Sequence, residues 1–188
     1  MRKQWITCLL IMAFLTVFNM TNAHAVIVSL NVLDNHIEVG EHFGVEVWVD
    51  NEGLSEELLA FGFDVDTSGN HISYLGYAIG SGFDDFSNPS NFNNVSGDAF
   101  PGIADNDVLL ATLSFSADSV GVDSLALDGL YDGLFYGLFY EVSGFDLSAS
   151  TNISVLQRSV PAPGTMLLTG FACLVLCALG RGRTKALP

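Results

Sequence analysis

From Val26 onward apolar and polar residues alternate with a period of two, which places one face of a strand inward and the other in water. Phe43, Val45, Val47 and Val49 interleave with Gly44, Glu46, Trp48 and Asp50, and Leu59, Phe61, Phe63 and Val65 interleave with Ala60, Gly62, Asp64 and Asp66. Residues 26–33, 72–77, 109–115, 122–128, 134–140 and 145–155 read as further strands, separated by Gly, Asn, Asp and Ser. Short strands with polar turns and no helical periodicity before residue 160 predict an all-β domain, a two-sheet sandwich or jelly roll over residues 26–157. The Gly-, Ser-, Asn- and Asp-rich stretch 80–107 reads as a long surface loop, the kind of segment on which binding residues collect.

The two ends depart from this pattern. Residues 1–25 combine Arg2 and Lys3, an apolar run centred on residues 6–18, and small residues two apart at Ala23 and Ala25, which together predict a secretory signal peptide cleaved after Ala25. Residues 158–188 are ordered as Val160-Pro161-Ala162-Pro163, an apolar run over 166–179, and a basic end of Arg181, Arg183 and Lys185. The prolines hold an extended segment, the apolar run can close its backbone hydrogen bonds as a helix in lipid, and the basic cluster stays cytoplasmic. At 1.5 Å per residue, residues 166–179 make a helix of about 21 Å, short against the roughly 30 Å hydrocarbon core.

This order of parts resembles the sorting tail of the PEP-CTERM family of exported bacterial proteins, with Pro161 and Pro163 matching and Ala162 where that family usually has Glu. The resemblance implies retention at the inner membrane, processing by an exosortase, which is a membrane-embedded cysteine transpeptidase, and delivery of the body to the cell surface or an exopolysaccharide matrix. An ordinary single-span anchor is the alternative reading of the same tail.

A second resemblance lies in the body. Ala60-Phe61-Gly62-Phe63-Asp64-Val65-Asp66 followed by Ile72-Ser73-Tyr74-Leu75 looks like a strand pair of cohesin-like domains, and Leu109 to Phe115, then Gly121 and Leu125 to Leu127, is similar to their central strands. The resemblance implies a jelly-roll sandwich over residues 26–155. Asp66-Thr67-Ser68-Gly69-Asn70 stands where those domains usually have an Asp-Pro turn.

Charge narrows the chemistry. All 21 Asp and Glu lie between Ala25 and Gln157, and all six Lys and Arg lie outside that stretch. Without a cation the body cannot clamp a phosphate, form a Schiff base or neutralise a nucleic-acid backbone, so nucleic acid is excluded as a partner. No G-x-S-x-G, H-E-x-x-H or phosphate-cradling loop occurs, and the three cysteines, Cys8, Cys173 and Cys177, all lie in the end segments. The body is therefore expected to be non-enzymatic and free of disulfides and thiolate metal sites.

Asp64, Asp66, Ser68 and Asn70, with Gly69, carry oxygen ligands at the one-three-five-seven spacing of a calcium loop, while Leu75 holds the twelfth position, where the bidentate Glu belongs. No other cofactor is suggested. Trp48 falls on the polar phase of its strand between Glu46 and Asp50, as in sugar stacking sites, or else packs beneath a loop. The tandem Gly133-Leu134-Phe135-Tyr136 and Gly137-Leu138-Phe139-Tyr140 puts Tyr136 and Tyr140 on one face of a strand expected to be central and covered on both sides. Trp48, Tyr136 and Tyr140 exposed together would make a carbohydrate-binding face. The sequence thus predicts an exported structural or adhesive protein of the cell surface or matrix, associated with exopolysaccharide, with a carbohydrate-binding module and a cohesin-like receptor for a protein partner as alternatives.

Overall fold

The structure, a computed structural model, describes residues 26–51 and 53–158. Ala23 and Ala25, expected to mark signal-peptide cleavage, and Val160, Pro161, Pro163, Arg181, Arg183 and Lys185 of the expected sorting tail lie outside the described residues.

Twelve strands run through the described residues, and no helix interrupts them: β1 Ile27–Val32, β2 Ile37–Glu38, β3 His42–Asp50, β4 Leu58–Ser68, β5 Ile72–Ile79, β6 Asp84–Asp85, β7 Asn94–Ile103, β8 Asp107–Ala117, β9 Gly121–Gly129, β10 Gly137–Tyr140, β11 Gly144–Phe145 and β12 Leu147–Leu156. They form two sheets. One has the order β1-β3-β8-β5; the other runs β11-β10-β4-β9-β12-β2 and carries β7 on β4 and β6 on β7.

The alternation read from the sequence decides which side chains meet between the sheets. Phe43, Val45, Val47 and Val49 of β3 and Leu110, Leu113 and Phe115 of β8 face Phe61, Phe63 and Val65 of β4, Leu125 and Leu127 of β9, and Leu147, Ile153 and Val155 of β12, all buried. Aromatic pairs tie neighbouring strands, with Phe43 stacked on Phe115 at 5.4 Å and the edge of one ring meeting the face of the other in Phe61 and Phe83 at 4.9 Å.

Two expectations are corrected here. Stretch 80–107 is not one long loop: β7 pairs with β4 from Asp64↔Asn94 to Leu58↔Ile103 and buries Val95 and Ala99. Nor is 134–140 a central strand. β9 and β10 share one edge of β4, β9 beside residues 64–68 and β10 beside 58–62, and residues 130–136 leave that line and return to it. Only Gly137–Tyr140 is strand, with two-residue β11 as its outer neighbour. Gly137 takes φ +105°, a left-handed value that side chains resist, and it turns the returning chain back into the sheet.

Candidate functional site

The excursion at 130–136 lies over the outer face of the larger sheet. A Cβ at Gly62, in the middle of β4, would stand 1.9 Å from the Phe135 carbonyl oxygen, so the close approach of loop to strand requires glycine there. Asp132 fixes the loop's shape: its Oδ1 accepts from the backbone amides of Leu134 (2.8 Å), Phe135 (2.8 Å) and Tyr136 (3.1 Å), and Asp146 Oδ1 accepts from the Tyr131 amide (2.9 Å). These amides favour the ionised form and hold the Asp132 carboxyl below the usual carboxylate range, the Tyr136 amide contributing most.

A second loop, 86–93, rises opposite. Ser87 Oγ both donates to the Ser96 carbonyl (3.1 Å) and accepts from the Ser96 amide (2.9 Å), while the Asn88 amide donates to Asn94 Oδ1 (3.1 Å). Asp64 joins the two loops from beneath. Its Oδ2 accepts from the Tyr136 hydroxyl at 3.2 Å, and its Oδ1 accepts from the side-chain amides of Asn91 and Asn94, each at 3.4 Å. Desolvation first, and then the Asp64 charge, push the Tyr136 hydroxyl above its ordinary value, so it remains a donor to that carboxylate.

Between the loops lies a cleft of about 610 Å³, with Phe86, Leu134, Phe135 and Phe139 on its walls and Ser96 and Asp98 on its floor. Its rim is unusually apolar for a surface: Leu134 is 74% exposed, Phe86 68% and Phe135 61%. Exposed aromatic side chains gathered at a concave site with polar groups beneath are what a binding surface needs, apolar area to desolvate and fixed hydrogen-bonding groups to orient what enters.

The residues singled out from the sequence are dispersed by the fold. Tyr136 belongs to the cleft. Tyr140 does not, because its side chain is buried and its hydroxyl donates to Asn51 Oδ1. Trp48 sits on the outer face of the other sheet, partly buried, with Nε1 donating to Glu46 Oε2 at 3.0 Å, beside the Asn31 side-chain amide that donates to the same oxygen at 3.1 Å. Trp48, Tyr136 and Tyr140 therefore form no common stacking face.

The calcium-loop spacing falls on a strand and not on a loop. Asp64, Asp66 and Ser68 stand on β4, an extended strand that separates residues 64 and 68 by about 13 Å and cannot curl around one ion. Asp64 is engaged by Tyr136, Asn91 and Asn94, Ser68 Oγ accepts from the Ser124 amide at 3.1 Å, and Asn70 lies in the turn beyond the strand. The functional residues that sequence reasoning missed are Phe86, Asp132 and Gly62. Asp132, two residues before a run of amides it can accept from, carried the only readable signal.

The fold itself defines a class: a two-sheet, all-β sandwich of cohesin-like architecture. No family model matches the chain, and no curated protein matches it. Among solved structures it is similar to the cohesin module of a family 33 glycoside hydrolase from Clostridium perfringens, at 8% identity and TM-score 0.56 over 71% of this chain and 100% of that one. It is also similar to the second type II cohesin module of the adaptor scaffoldin ScaA from Acetivibrio cellulolyticus, at 12% identity and TM-score 0.50 over 75% of this chain and 96% of that one. CaCohA2 from Clostridium acetobutylicum is a third, at 16% identity and TM-score 0.50 over 73% and 94%.

Removing the Asp132 carboxylate should loosen one wall of the cleft. In Asp132→Ala the amides of Leu134, Phe135 and Tyr136 lose their acceptor, and their hydrogen exchange is expected to speed up well beyond that of β4, read by NMR. The native loop should show the same loosening in acid. A carboxyl held low in the folded state contributes stability that is fully present above its unfolded pKa, about 4, and is lost as pH falls through the lowered folded value. Unchanged exchange in the variant would mean that Asp132 does not shape the loop.

Proposed function

We propose that this chain is an exported, non-catalytic docking module of cohesin-like fold that receives a protein partner on the outer face of its larger sheet, at the cleft between residues 86–93 and 130–136. The observation that carries the reading is the exposed apolar rim of Phe86, Leu134 and Phe135 held over a hydrogen-bonded floor. Such anchors, ringed by polar groups, concentrate binding energy in protein interfaces. The similar type II cohesin module comes from an adaptor scaffoldin, which gives a precedent for this fold within an adaptor.

Delivery is the part of the proposal supported by sequence alone. The signal peptide ending at Ala25 and the PEP-CTERM-like tail, Val160 to Lys185, would bring the body through the inner membrane to an exosortase-like enzyme and on to the surface or matrix. A structural or adhesive role among exopolysaccharides is compatible with docking, since an adaptor can join a matrix polymer's own proteins to the cell.

A photo-crosslinking residue placed at Phe135, and separately at Val122, which is 62% exposed on β9 away from the cleft, tests the reading in the native host. A discrete protein adduct formed from position 135 and absent from position 122 is the expected result. A polydisperse carbohydrate adduct from position 135 would replace the docking module with a carbohydrate-binding one, and no adduct from position 135 would remove the cleft from function.

A further inference from the structure

The outer face around the cleft carries one sign of charge, arranged in a way that costs folding energy. Asp98 lines the cleft, and in the register of β6 and β7 it stands directly opposite Asp84. Two strands away, Asp64 stands directly opposite Asp128 across β4 and β9, with Asp66 on the same face of β4. Like charges directly opposite on one sheet face destabilise the pairing. No lysine or arginine exists between residues 26 and 157 to compensate, and the only one among the described residues is Arg158, past the last strand.

We propose that the segment of partner protein occupying the cleft is cationic: an apolar side chain enters between Phe86 and Phe135, and lysine or arginine residues on either side of it lie over the two opposed aspartate pairs. The inference rests on the docking reading and specifies the partner's chemistry. Three features favour this occupant. Apolar walls take an aliphatic or aromatic anchor, which alone would suit any peptide. The aspartates Asp84, Asp98, Asp66 and Asp128 repel an acidic segment and attract a basic one, and a partner that neutralises the opposed Asp84–Asp98 pair recovers repulsion that the free domain retains, whereas Asp64 already accepts from Tyr136, Asn91 and Asn94. Finally, the exposed rings of Phe86 and Phe135 offer π faces to a guanidinium, an attraction that a neutral segment cannot use.

The band is long enough for this. Cleft and aspartate pairs span β6, β7, β4 and β9, four neighbouring strands at roughly 4.8 Å spacing, so the face is about 15 Å across. An extended segment of five or so residues crosses that distance at about 3.3 Å per residue.

The test uses the full chain in a non-ionic detergent and three synthetic dodecapeptides that share a central Leu-Trp pair, their flanking positions being all Arg and Lys, all Asn and Ser, or all Asp and Glu. Equilibrium binding is measured at low and at moderate salt for the native chain, for Phe135→Ala, for Asp84→Asn with Asp98→Asn, and for the acidic pair Asp105→Asn with Asp107→Asn, which lies off the band, in the β7–β8 turn and at the first residue of β8. The expected result is that the cationic peptide binds at least tenfold more tightly than the neutral one and weakens as salt rises. Phe135→Ala and the Asp84/Asp98 variant should each weaken it at least fivefold, with the Asp105/Asp107 variant near native.

Equal weakening by both aspartate variants would mean adsorption to overall charge and would overturn the proposal. A neutral peptide bound as tightly as the cationic one, and weakened by Phe135→Ala, would overturn the cationic partner while leaving the docking cleft in place. Failure of all three peptides to bind overturns the cationic partner as well, and the crosslink at position 135 then decides separately whether the docking reading falls with it.

Discussion

Gly62→Ala is expected to expel the 130–136 loop from the sheet and abolish binding at the cleft. The new Cβ would lie 1.9 Å from the Phe135 carbonyl oxygen, far inside contact distance, and that oxygen belongs to backbone, which has no rotamer through which to retreat. Either β4 or the loop must move. β4 is held on one edge by β7 and on the other by β9 and β10, whereas the loop is held chiefly by Asp132, Asp146 and the Tyr136–Asp64 hydrogen bond. The loop is the element that yields. Overpacking of this kind costs roughly 1–3 kcal/mol, and because the loop carries Leu134, Phe135 and Tyr136, the cleft loses a whole wall. The expected readout is a lowered melting temperature together with loss of the Phe135 crosslink, while the amides of β3 and β8 keep their exchange protection. A Gly62→Ala chain that melts and crosslinks as the native one does would show that the loop does not rest on β4.

The second large effect is expected far from the cleft, at Asp123. This residue points inward from β9 with only 2% of its surface exposed, and its Oδ2 accepts from the backbone amides of His71 (2.8 Å) and Ile72 (3.0 Å). It thereby fixes the turn where β4 hands over to β5 and the chain crosses from one sheet to the other. Its Oδ1 has no hydrogen-bond partner and packs against Gly69, where a Cβ would stand 2.1 Å away. Asp123→Ala leaves two amides without an acceptor in a site water does not reach, a loss on the order of 3 kcal/mol. For a domain of this size that is about 10 °C in melting temperature. Asp123→Asn keeps one acceptor oxygen and removes a buried charge with only half its acceptor capacity met, so its loss should be less than half as large. If the two variants melted alike, the charge rather than the acceptor would be what the turn requires.

The sequence displayed the fold more clearly than the site, and particular residues show why. β3 buries every second side chain from Phe43 to Val49 and β4 does so from Phe61 to Val65, so their period is written in the chain, although a register shift at the start of β4 buries Leu58 in place of the expected Leu59. β7 hides because Asn94–Ile103 contains Gly97 and Pro101 and few β-branched residues; it is a strand because β4 offers it a partner, a fact of tertiary contact. The tandem repeat misled in a more instructive way. Its two copies are identical, yet Gly133–Tyr136 is loop and Gly137–Tyr140 is strand, since Asp132 collects the amides of the first copy and Gly137 turns the chain between them.

The site was hidden for a related reason. Phase along a strand tells which residues share a face of that strand and not which sheet it joins, so Trp48 and Tyr136 could not be separated before the strand order was known. Tyr136 was visible as an aromatic candidate. Phe86 and Phe135, apolar residues that a bland reading sends to the core, are exposed because loops carry them outward.

One further consequence follows from β12. The chain leaves the domain at the end of a strand that lies between β9, in antiparallel register from Leu147↔Gly129 to Val155↔Gly121, and the short parallel β2 at Ile37 and Glu38. A pull on the chain beyond Leu156 acts along the axis of β12, across the hydrogen bonds that join it to β9. Those bonds share the tension and must fail together, as in a lap joint under shear, whereas a strand peeled sideways would lose them one pair at a time. Were a partner to grip the outer face and the chain beyond Leu156 to be anchored, as proposed, the domain would be suited to hold under traction.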